Sequence, residues 1–104
     1  MPRFAANLST MFREVPFLDR FAAAADAGFK GVEFLLPYEH PPEAVAERLR
    51  KARLENVMFN TPAGDWAGGE RGTACITSRV EEFRAGLEEA LIYAAHMNCQ
   101  RLHA

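Results

Sequence analysis

The sequence predicts an α/β fold in which four parallel strands alternate with three helices. Four short apolar runs are separated by stretches in which apolar residues recur at helical spacing. Glycine or proline stands at most of the boundaries between the two kinds of segment. Such alternation is typical of a parallel sheet whose right-handed crossover helices cover the strands.

The first strand and the first helix are predicted within the first 28 residues. Residues 4–8 form a short apolar run, and Pro16 suits the first position of a helix because its missing N–H is not needed there. Gly28 can cap the end of that helix. Its apolar stripe consists of Leu18, Phe21, Ala22 and Ala25.

The second strand is predicted over residues 31–36, where Pro37 stops it. Pro41 and Pro42 then open a helix. Its apolar face consists of Val45, Leu49 and Ala52. A third strand follows at residues 57–59.

A third helix is predicted from about Arg79 to Met97, and a fourth strand at residues 100–104. The inner face of this helix is predicted to consist of Phe83, Leu87, Ala90, Leu91 and Ala94. Two architectures are compatible with this order of elements: an open doubly wound sheet, or the first part of a (β/α)₈ barrel. A barrel needs about 250 residues, so residues 1–104 would be a single segment of somewhat under half of one. Because the sequence ends inside a predicted strand, we expect a truncated chain.

A long glycine-rich connection separates the third strand from the third helix. It runs for about eighteen residues, whereas a strand-to-helix connection usually has two to six. It contains Asp65, Trp66, Arg71 and four glycines, at positions 64, 68, 69 and 72. These side chains can pack, accept and donate against a small polar ligand, and the glycines permit close backbone approach. The alternative is an ordinary surface loop pinned by its tryptophan.

In parallel α/β folds, ligands bind at the carboxyl ends of the strands. The polar residues predicted near those ends are Asn7, Glu33, Asn60 and His103. Glu33 is a carboxylate in an apolar strand, so it is either functional or part of an ion pair, for instance with Arg3 or Arg101. Asn60 either orients a ligand or caps the long loop, and His103 is either a ligand-facing or a packed histidine. Arg71 either clamps a carboxylate or pairs with a neighbouring acid that holds the loop closed.

Composition narrows the classes of function. The formal net charge is −2, with no basic stripe, which disfavours a nucleic-acid binder. Neither a membrane-spanning run nor a signal-peptide pattern is present, so we expect a cytoplasmic protein that does not bind membranes. Cys75 and Cys99 match no metal-ligand spacing. No nucleophile–base pair, P-loop or dinucleotide fingerprint names a reaction.

Three segments carry a resemblance to a known family: residues 3–9, residues 28–38, and residues 59–72 with the run Asn-Thr-Pro-Ala-Gly-Asp-Trp-Ala-Gly-Gly-Glu-Arg-Gly. Residues 82–87 and 99–103 continue it. Together they resemble the N-terminal part of the bacterial hydroxypyruvate isomerase family, which belongs to the xylose-isomerase-like (β/α)₈ barrels. One departure is Thr77-Ser78-Arg79, where the family has Pro-Gly-Arg, so the loop exit is less stiff here.

The resemblance implies an isomerase of carbohydrate metabolism that converts hydroxypyruvate to tartronate semialdehyde through an enediolate. It also implies a divalent metal, Mg²⁺ or Mn²⁺, and a homo-oligomer acting on a small keto acid or sugar acid. The catalytic glutamates and metal ligands of the family lie beyond its fourth strand, so no catalytic residue and no metal ligand is expected within residues 1–104. The substrate-binding candidates are Asn7, Glu33, Asn60, Asp65, Trp66, Arg71 and His103. The 104-residue chain alone is expected to be inactive.

Two alternatives come from other functional classes. An apurinic-endonuclease-like phosphodiester hydrolase shares this barrel type, but it calls for several histidine ligands and a basic surface. A non-catalytic half-barrel would instead self-associate through its exposed strand edges.

Overall fold

The computed structural model describes residues 3–104 as one four-stranded parallel sheet covered by helices. The strands are β1 (Ala5–Asn7), β2 (Gly31–Glu33), β3 (Glu55–Asn60) and β4 (Leu102–His103), and the helices are α1 (Arg20–Asp26), α2 (Pro42–Ala52) and α3 (Val80–Met97). Short 3-10 turns at Phe17–Asp19 and Thr77–Arg79 lead into α1 and α3. The order in the sheet is β1-β2-β3-β4, and every neighbouring pair is parallel. The predicted β-α alternation is therefore confirmed.

The first two strands are shorter than the apolar runs that predicted them, whereas β3 is longer. Backbone hydrogen bonds nevertheless continue beyond the strand ends, since Leu8 N donates to Glu33 O at 2.8 Å and Asn60 N donates to Leu35 O at 2.9 Å. The chain thus stays paired up to the carboxyl edge of the sheet, where the loops begin. Among residues 3–104, no helix is long and apolar enough to cross a membrane.

An aromatic cluster fills the space between the sheet and the helices. The buried ring of Phe34 lies 5.9 Å from Phe21 of α1, 6.1 Å from Phe59 of β3 and 5.4 Å from Phe17, centre to centre. Most of these pairs are edge-to-face, the arrangement that aromatic quadrupoles favour. In α1 the buried alanine is Ala24, whereas Ala22 of the predicted stripe is exposed.

The inner face of α3 differs from the prediction. Ala90 and Ala94 are buried as predicted, together with Tyr93 and Met97, and Phe83 is half-buried. Leu87 and Leu91, however, are 37% and 54% exposed.

Tyr93 explains the orientation that α3 takes. Its hydroxyl donates to the carbonyl of His40 at 2.6 Å, and its ring lies edge-to-face against Tyr38, with centres 4.9 Å apart. These contacts turn Tyr93 towards α2 and the neighbouring loop. Because α3 has apolar residues on more than one side, periodicity alone did not identify the side that packs.

The other face of the sheet is lined by small residues at its amino end and polar residues at its carboxyl end. Gly31 stands next to Ala5 across the strands, and a Cβ at position 31 would lie 3.0 Å from Cγ2 of Val57. Asn7 and Glu33 follow on the same face, two residues further along each strand. This face therefore leads directly to the polar carboxyl edge.

Candidate functional site

Asn7 and Glu33 form a pair at the carboxyl ends of β1 and β2. They are register partners, and Nδ2 of Asn7 donates to Oε1 of Glu33 at 3.4 Å. Oδ1 of Asn7 accepts from Ser9 N at 2.9 Å, which turns the chain out of β1. Oγ of Ser9 in turn accepts from Leu35 N at 2.9 Å. The two loops that leave β1 and β2 are thus tied together beneath this pair.

Glu33 has no cationic partner in the part of the chain that the structure describes. Neither Arg3 nor Arg101 pairs with it among the ion pairs of residues 3–104. The half-buried carboxylate is held by a single long hydrogen bond from Asn7. The ion-pair alternative is therefore unsupported, and Glu33 retains acceptor capacity for a ligand.

Asn60 and His103 meet at the carboxyl ends of β3 and β4. They are register partners, and Thr61 N donates to His103 O at 2.8 Å. The hydroxyl of Tyr38 donates to the carbonyl of Asn60. Burial, with the nearby Glu89 carboxylate, raises the pKa of Tyr38, so its hydroxyl stays neutral and remains a donor. Tyr38 thereby fixes the backbone from which the long loop departs.

The glycine-rich loop, residues 63–72, closes on itself through backbone hydrogen bonds. Gly72 N donates to Ala63 O at 2.8 Å, and Glu70 N donates to Asp65 O at 2.9 Å. Gly64, with φ of +83°, adopts a backbone conformation that other residues rarely take. Oδ1 of Asp65 accepts from Gly68 N at 3.0 Å, so this carboxylate stabilises the turn within the loop. The sequence had predicted Asp65 as a ligand contact; the structure places it in the framework of the loop as well.

Arg71 lies over the ring of Trp66. Its guanidinium carbon is 3.7 Å from the centre of the indole, and its Nη1 donates to the carbonyls of Trp66 and Glu70 at 2.9 and 2.8 Å. Within residues 3–104 Arg71 forms no ion pair, and its Nε and Nη2 donate no hydrogen bond. The loop therefore presents an oriented cation with two donor groups still available for a ligand.

Another arginine makes the ion pair that holds the loop. Arg79, at the start of α3, bridges Glu70 of the loop and Glu82 of the helix; its Nη2 lies 3.0 Å from Oε1 of Glu70, and its Nε lies 2.6 Å from Oε2 of Glu82. Oε1 of Glu70 also accepts from Asp65 N at 2.6 Å. The Arg79 hydrogen bonds lower the pKa of both carboxyls and raise the pKa of the guanidinium. The sequence analysis missed this bridge, although the spacing of Arg79 and Glu82 in one helical turn was a signal for half of it.

Two hollows share Trp66 in their lining. A small cavity of about 70 Å³ is lined by four of the predicted residues, namely Asn60, Trp66, Arg71 and His103, together with Phe83. A wider cleft of about 930 Å³ is lined in part by Asp65 and Trp66. It is also lined by Arg13, Phe17, Arg20, Tyr38 and His40, which the sequence analysis did not single out. Neither hollow is lined by Asn7 or Glu33, which form a separate pair on the open face of the sheet.

The residues of this chain do not fit a metal site by themselves. Within residues 3–104, no three histidine, cysteine, aspartate or glutamate side chains are grouped so that they could hold a metal ion. The arrangement at the carboxyl edge is instead suited to binding an anion and polar groups: it combines one oriented cation, an amide, an imidazole and an aromatic wall.

Comparison with known proteins gives a consistent result. The family model described as "Xylose isomerase-like TIM barrel" matches residues 21–104. The chain is 54% identical to a 2-oxo-tetronate isomerase of Pectobacterium atrosepticum and 48% identical to a hydroxypyruvate isomerase of Escherichia coli. These matches cover 95% and 99% of the chain but only 38% and 40% of the two relatives.

A solved structure matches the fold closely. It comes from Brucella melitensis, is described as "AP endonuclease, family 2", and has a TM-score of 0.98 at 58% identity. The match covers all of this chain and 40% of that one. The parallel β-α order and the match over residues 21–104 agree: this chain belongs to the xylose isomerase-like TIM barrel family and forms part of such a barrel.

Proposed function

We propose that this chain provides the carboxylate-binding part of an isomerase that interconverts small keto acids or sugar acids. The substrate would be hydroxypyruvate or a 2-oxo-tetronate, the compounds after which its relatives are named. The observation that carries the proposal is the guanidinium of Arg71, held 3.7 Å over Trp66 beside Asn60 and His103.

Arg71 binds the carboxylate of the substrate in this proposal. A planar guanidinium with two available donor groups matches a carboxylate better than a lysine ammonium does. Because Nη1 of Arg71 already donates to two carbonyls of the loop, the guanidinium cannot rotate freely. The carboxylate is not altered in the reaction, so Arg71 fixes the orientation of the two carbons that do react.

The isomerisation moves a proton between those two carbons. For hydroxypyruvate, a proton leaves C3, an enediolate forms, and a proton is delivered to C2, which gives tartronate semialdehyde. Asn60 and His103 lie where they could hydrogen-bond the oxygens of the substrate, and Glu33 with Asn7 offers a further polar contact on the same edge. We assign the proton-transferring base to none of these residues.

The Mg²⁺ or Mn²⁺ implied by the family remains a prediction. Residues 3–104 bring together no three side chains that could hold such an ion by themselves. Removal of metals from the full-length protein by a chelator, followed by addition of each ion, tests the requirement.

The experiment is a substrate comparison with the full-length protein. Hydroxypyruvate and a 2-oxo-tetronate are incubated in D₂O, and NMR follows both the product and deuterium uptake at the reacting carbons. We expect conversion of at least one substrate, with deuterium exchange that slows in Arg71→Gln. If the protein converts neither substrate, whichever divalent metal is added, the proposed function is wrong.

Phosphodiester hydrolysis at abasic DNA is a second candidate, because a structure 58% identical to this chain is described as an AP endonuclease. Charge argues against it: the chain has a formal net charge of −2, and Arg71 stands next to the acidic Glu70. The same full-length protein should therefore leave an oligonucleotide with one abasic site intact. Cleavage of that strand, without isomerase activity, would favour the second candidate.

Self-association is proposed from the exposed apolar side chains of α3. Leu91 and Ile92 are 54% and 56% exposed, on a helix whose neighbouring residues are buried. We expect the full-length protein to be a homo-oligomer and the isolated 104-residue chain to associate without catalysing isomerisation. Mass in solution, measured by light scattering alongside the isomerase assay, distinguishes these expectations from an active monomer.

A further inference from the structure

We propose that Arg79 is a positioning residue that clamps the glycine-rich loop to the first turn of α3 and so holds Arg71 and Trp66 at the carboxyl edge. The inference rests on the proposed function for its effect on substrate binding, but the clamp itself is a matter of geometry.

The bridge joins the glycine-rich loop to the first turn of α3 through a single guanidinium. Arg79 contacts both oxygens of Glu70 through its two terminal nitrogens, a bidentate arrangement, and contacts both oxygens of Glu82 through Nε and Nη2. Only about a quarter of the Arg79 side chain is exposed (26%). A forked guanidinium between two carboxylates has the ideal geometry that most surface ion pairs lack.

Glu70 transmits the clamp to the rest of the loop. Its Oε1, which Arg79 contacts, also accepts from Asp65 N at 2.6 Å, on the opposite side of the loop. Its own carbonyl accepts from Nη1 of Arg71 at 2.8 Å. One residue therefore connects Arg79 with both the entry of the loop and the cation that we propose binds substrate.

Gly64 leaves the space that the bridge occupies. A Cβ at position 64 would lie 2.5 Å from Oε1 of Glu70 and 3.2 Å from Nη2 of Arg79. The ion pair therefore occupies space that a side chain at position 64 would otherwise fill. Gly64 thus combines a positive φ with a site where a Cβ would meet the ion pair. Both features require glycine, which an incidental surface contact would not, and this supports a structural role for the bridge.

Among the hydrogen bonds and ion pairs of residues 3–104, only those between Glu70 and Arg79 join residues 63–72 to the rest of the protein. The internal hydrogen bonds of the loop fix its own shape, but they do not fix its position relative to α3. Loss of the Arg79 bridge should therefore leave the loop folded locally and free to move as a unit. Arg71 would then reach the substrate less often, which weakens binding more than it slows the chemical step.

The first test is limited trypsin digestion of the full-length protein, which needs no activity. Arg71 is itself a trypsin cleavage residue, so cleavage after Arg71, identified by mass spectrometry, reports opening of the loop. We expect Arg79→Gln to be cut there at least about tenfold faster than the wild type, and Arg79→Lys to be intermediate. The matched control is Arg84→Gln, which breaks only the exposed pair with Glu81 on the same helix.

The second test is a double-mutant cycle on substrate binding. Arg79→Gln should raise KM about tenfold with kcat changed less than twofold, and it should add little in an Arg71→Gln background, because both act through the same cation. Additive effects in the two backgrounds would overturn the positioning role.

The two tests separate the two proposals. Equal cleavage rates after Arg71 in the wild type and in Arg79→Gln would refute the clamp whatever the protein catalyses. Faster cleavage in a protein that isomerises neither substrate would support the clamp and refute the proposed function instead. If Arg79→Gln does not fold, Glu70→Gln, which removes the loop side of the bridge and leaves the helix pair, gives the same comparison.

Discussion

Replacement of Arg71 by lysine keeps the positive charge at the carboxyl edge of the sheet but removes the planar fork. A lysine ammonium cannot bond the loop carbonyls of Trp66 and Glu70, lie over the indole and contact both oxygens of a carboxylate at the same time. We therefore expect the loss of one hydrogen bond to a charged group, worth about 1.5 kcal/mol at the lower end of the usual range because Arg71 is exposed. At about 1.4 kcal/mol for each factor of ten, KM should rise about tenfold.

The effect should be confined to binding. Arg71 contacts a carboxylate that is the same in the substrate and in the enediolate, so kcat should stay within about a factor of two. Steady-state kinetics on the full-length protein with hydroxypyruvate give both constants. Arg84→Lys, an equivalent change at a solvated position of α3, is the control and should change neither. An unchanged KM for Arg71→Lys would assign Arg71 to the structure of the loop; a fall in kcat alone would place it in the chemical step.

Three further predictions concern the fold and the loop. Phe59→Ala empties a fully buried position between the sheet and the helices and should lower the free energy of unfolding by about 3–5 kcal/mol, as measured by urea titration, whereas Phe4→Ala at a 72% exposed position should stay within about 0.5 kcal/mol. Gly64→Ala should speed trypsin cleavage of the glycine-rich loop, since its Cβ would overlap Glu70; slow cleavage would show that the loop adapts. Acid should release the loop: the pKa of Glu70 is lowered by Arg79, so the bridge persists down through the ordinary carboxyl value of 4.5 and is lost only below it, as measured by pepsin digestion at falling pH. Rapid pepsin cleavage already near that value would contradict the assignment.

The order of strands and helices could be predicted because glycine or proline residues bound the elements of each β-α unit. Pro42 and the glycines at 28 and 31 mark boundaries by their backbone chemistry, whereas Pro16 precedes a 3-10 turn and α1 begins only at Arg20. The face of α3 could not be predicted in the same way. Leu87 and Leu91 fit a helical stripe as well as Tyr93 does, and only the contacts of Tyr93 with Tyr38 and His40 decide between them.

The proximity of four candidate residues could be predicted from the sequence, whereas the bonds that connect the loop to the helix could not. Asn60, Trp66, Arg71 and His103 converge on one cavity because strand ends meet at the same edge of a parallel sheet. Glu70 and Arg79 are nine positions apart in the sequence, and the chain between them is irregular up to the 3-10 turn at Thr77–Arg79, so no periodicity pairs them. Which arginine pairs with the acid and which stays available thus depended on the loop path that the glycines permit.

The contact between Gly31 and Val57 has a consequence for how this sequence is able to evolve. The two positions belong to different strands but share one volume, since a Cβ at position 31 would lie 3.0 Å from Cγ2 of Val57. A side chain at position 31 requires Val57 to shift by a few tenths of an ångström or to be replaced by a smaller residue, and a side chain larger than alanine requires more. Among homologous sequences, substitutions at these two sites should therefore occur together, with alanine or larger at 31 accompanied by a loss of branching at 57.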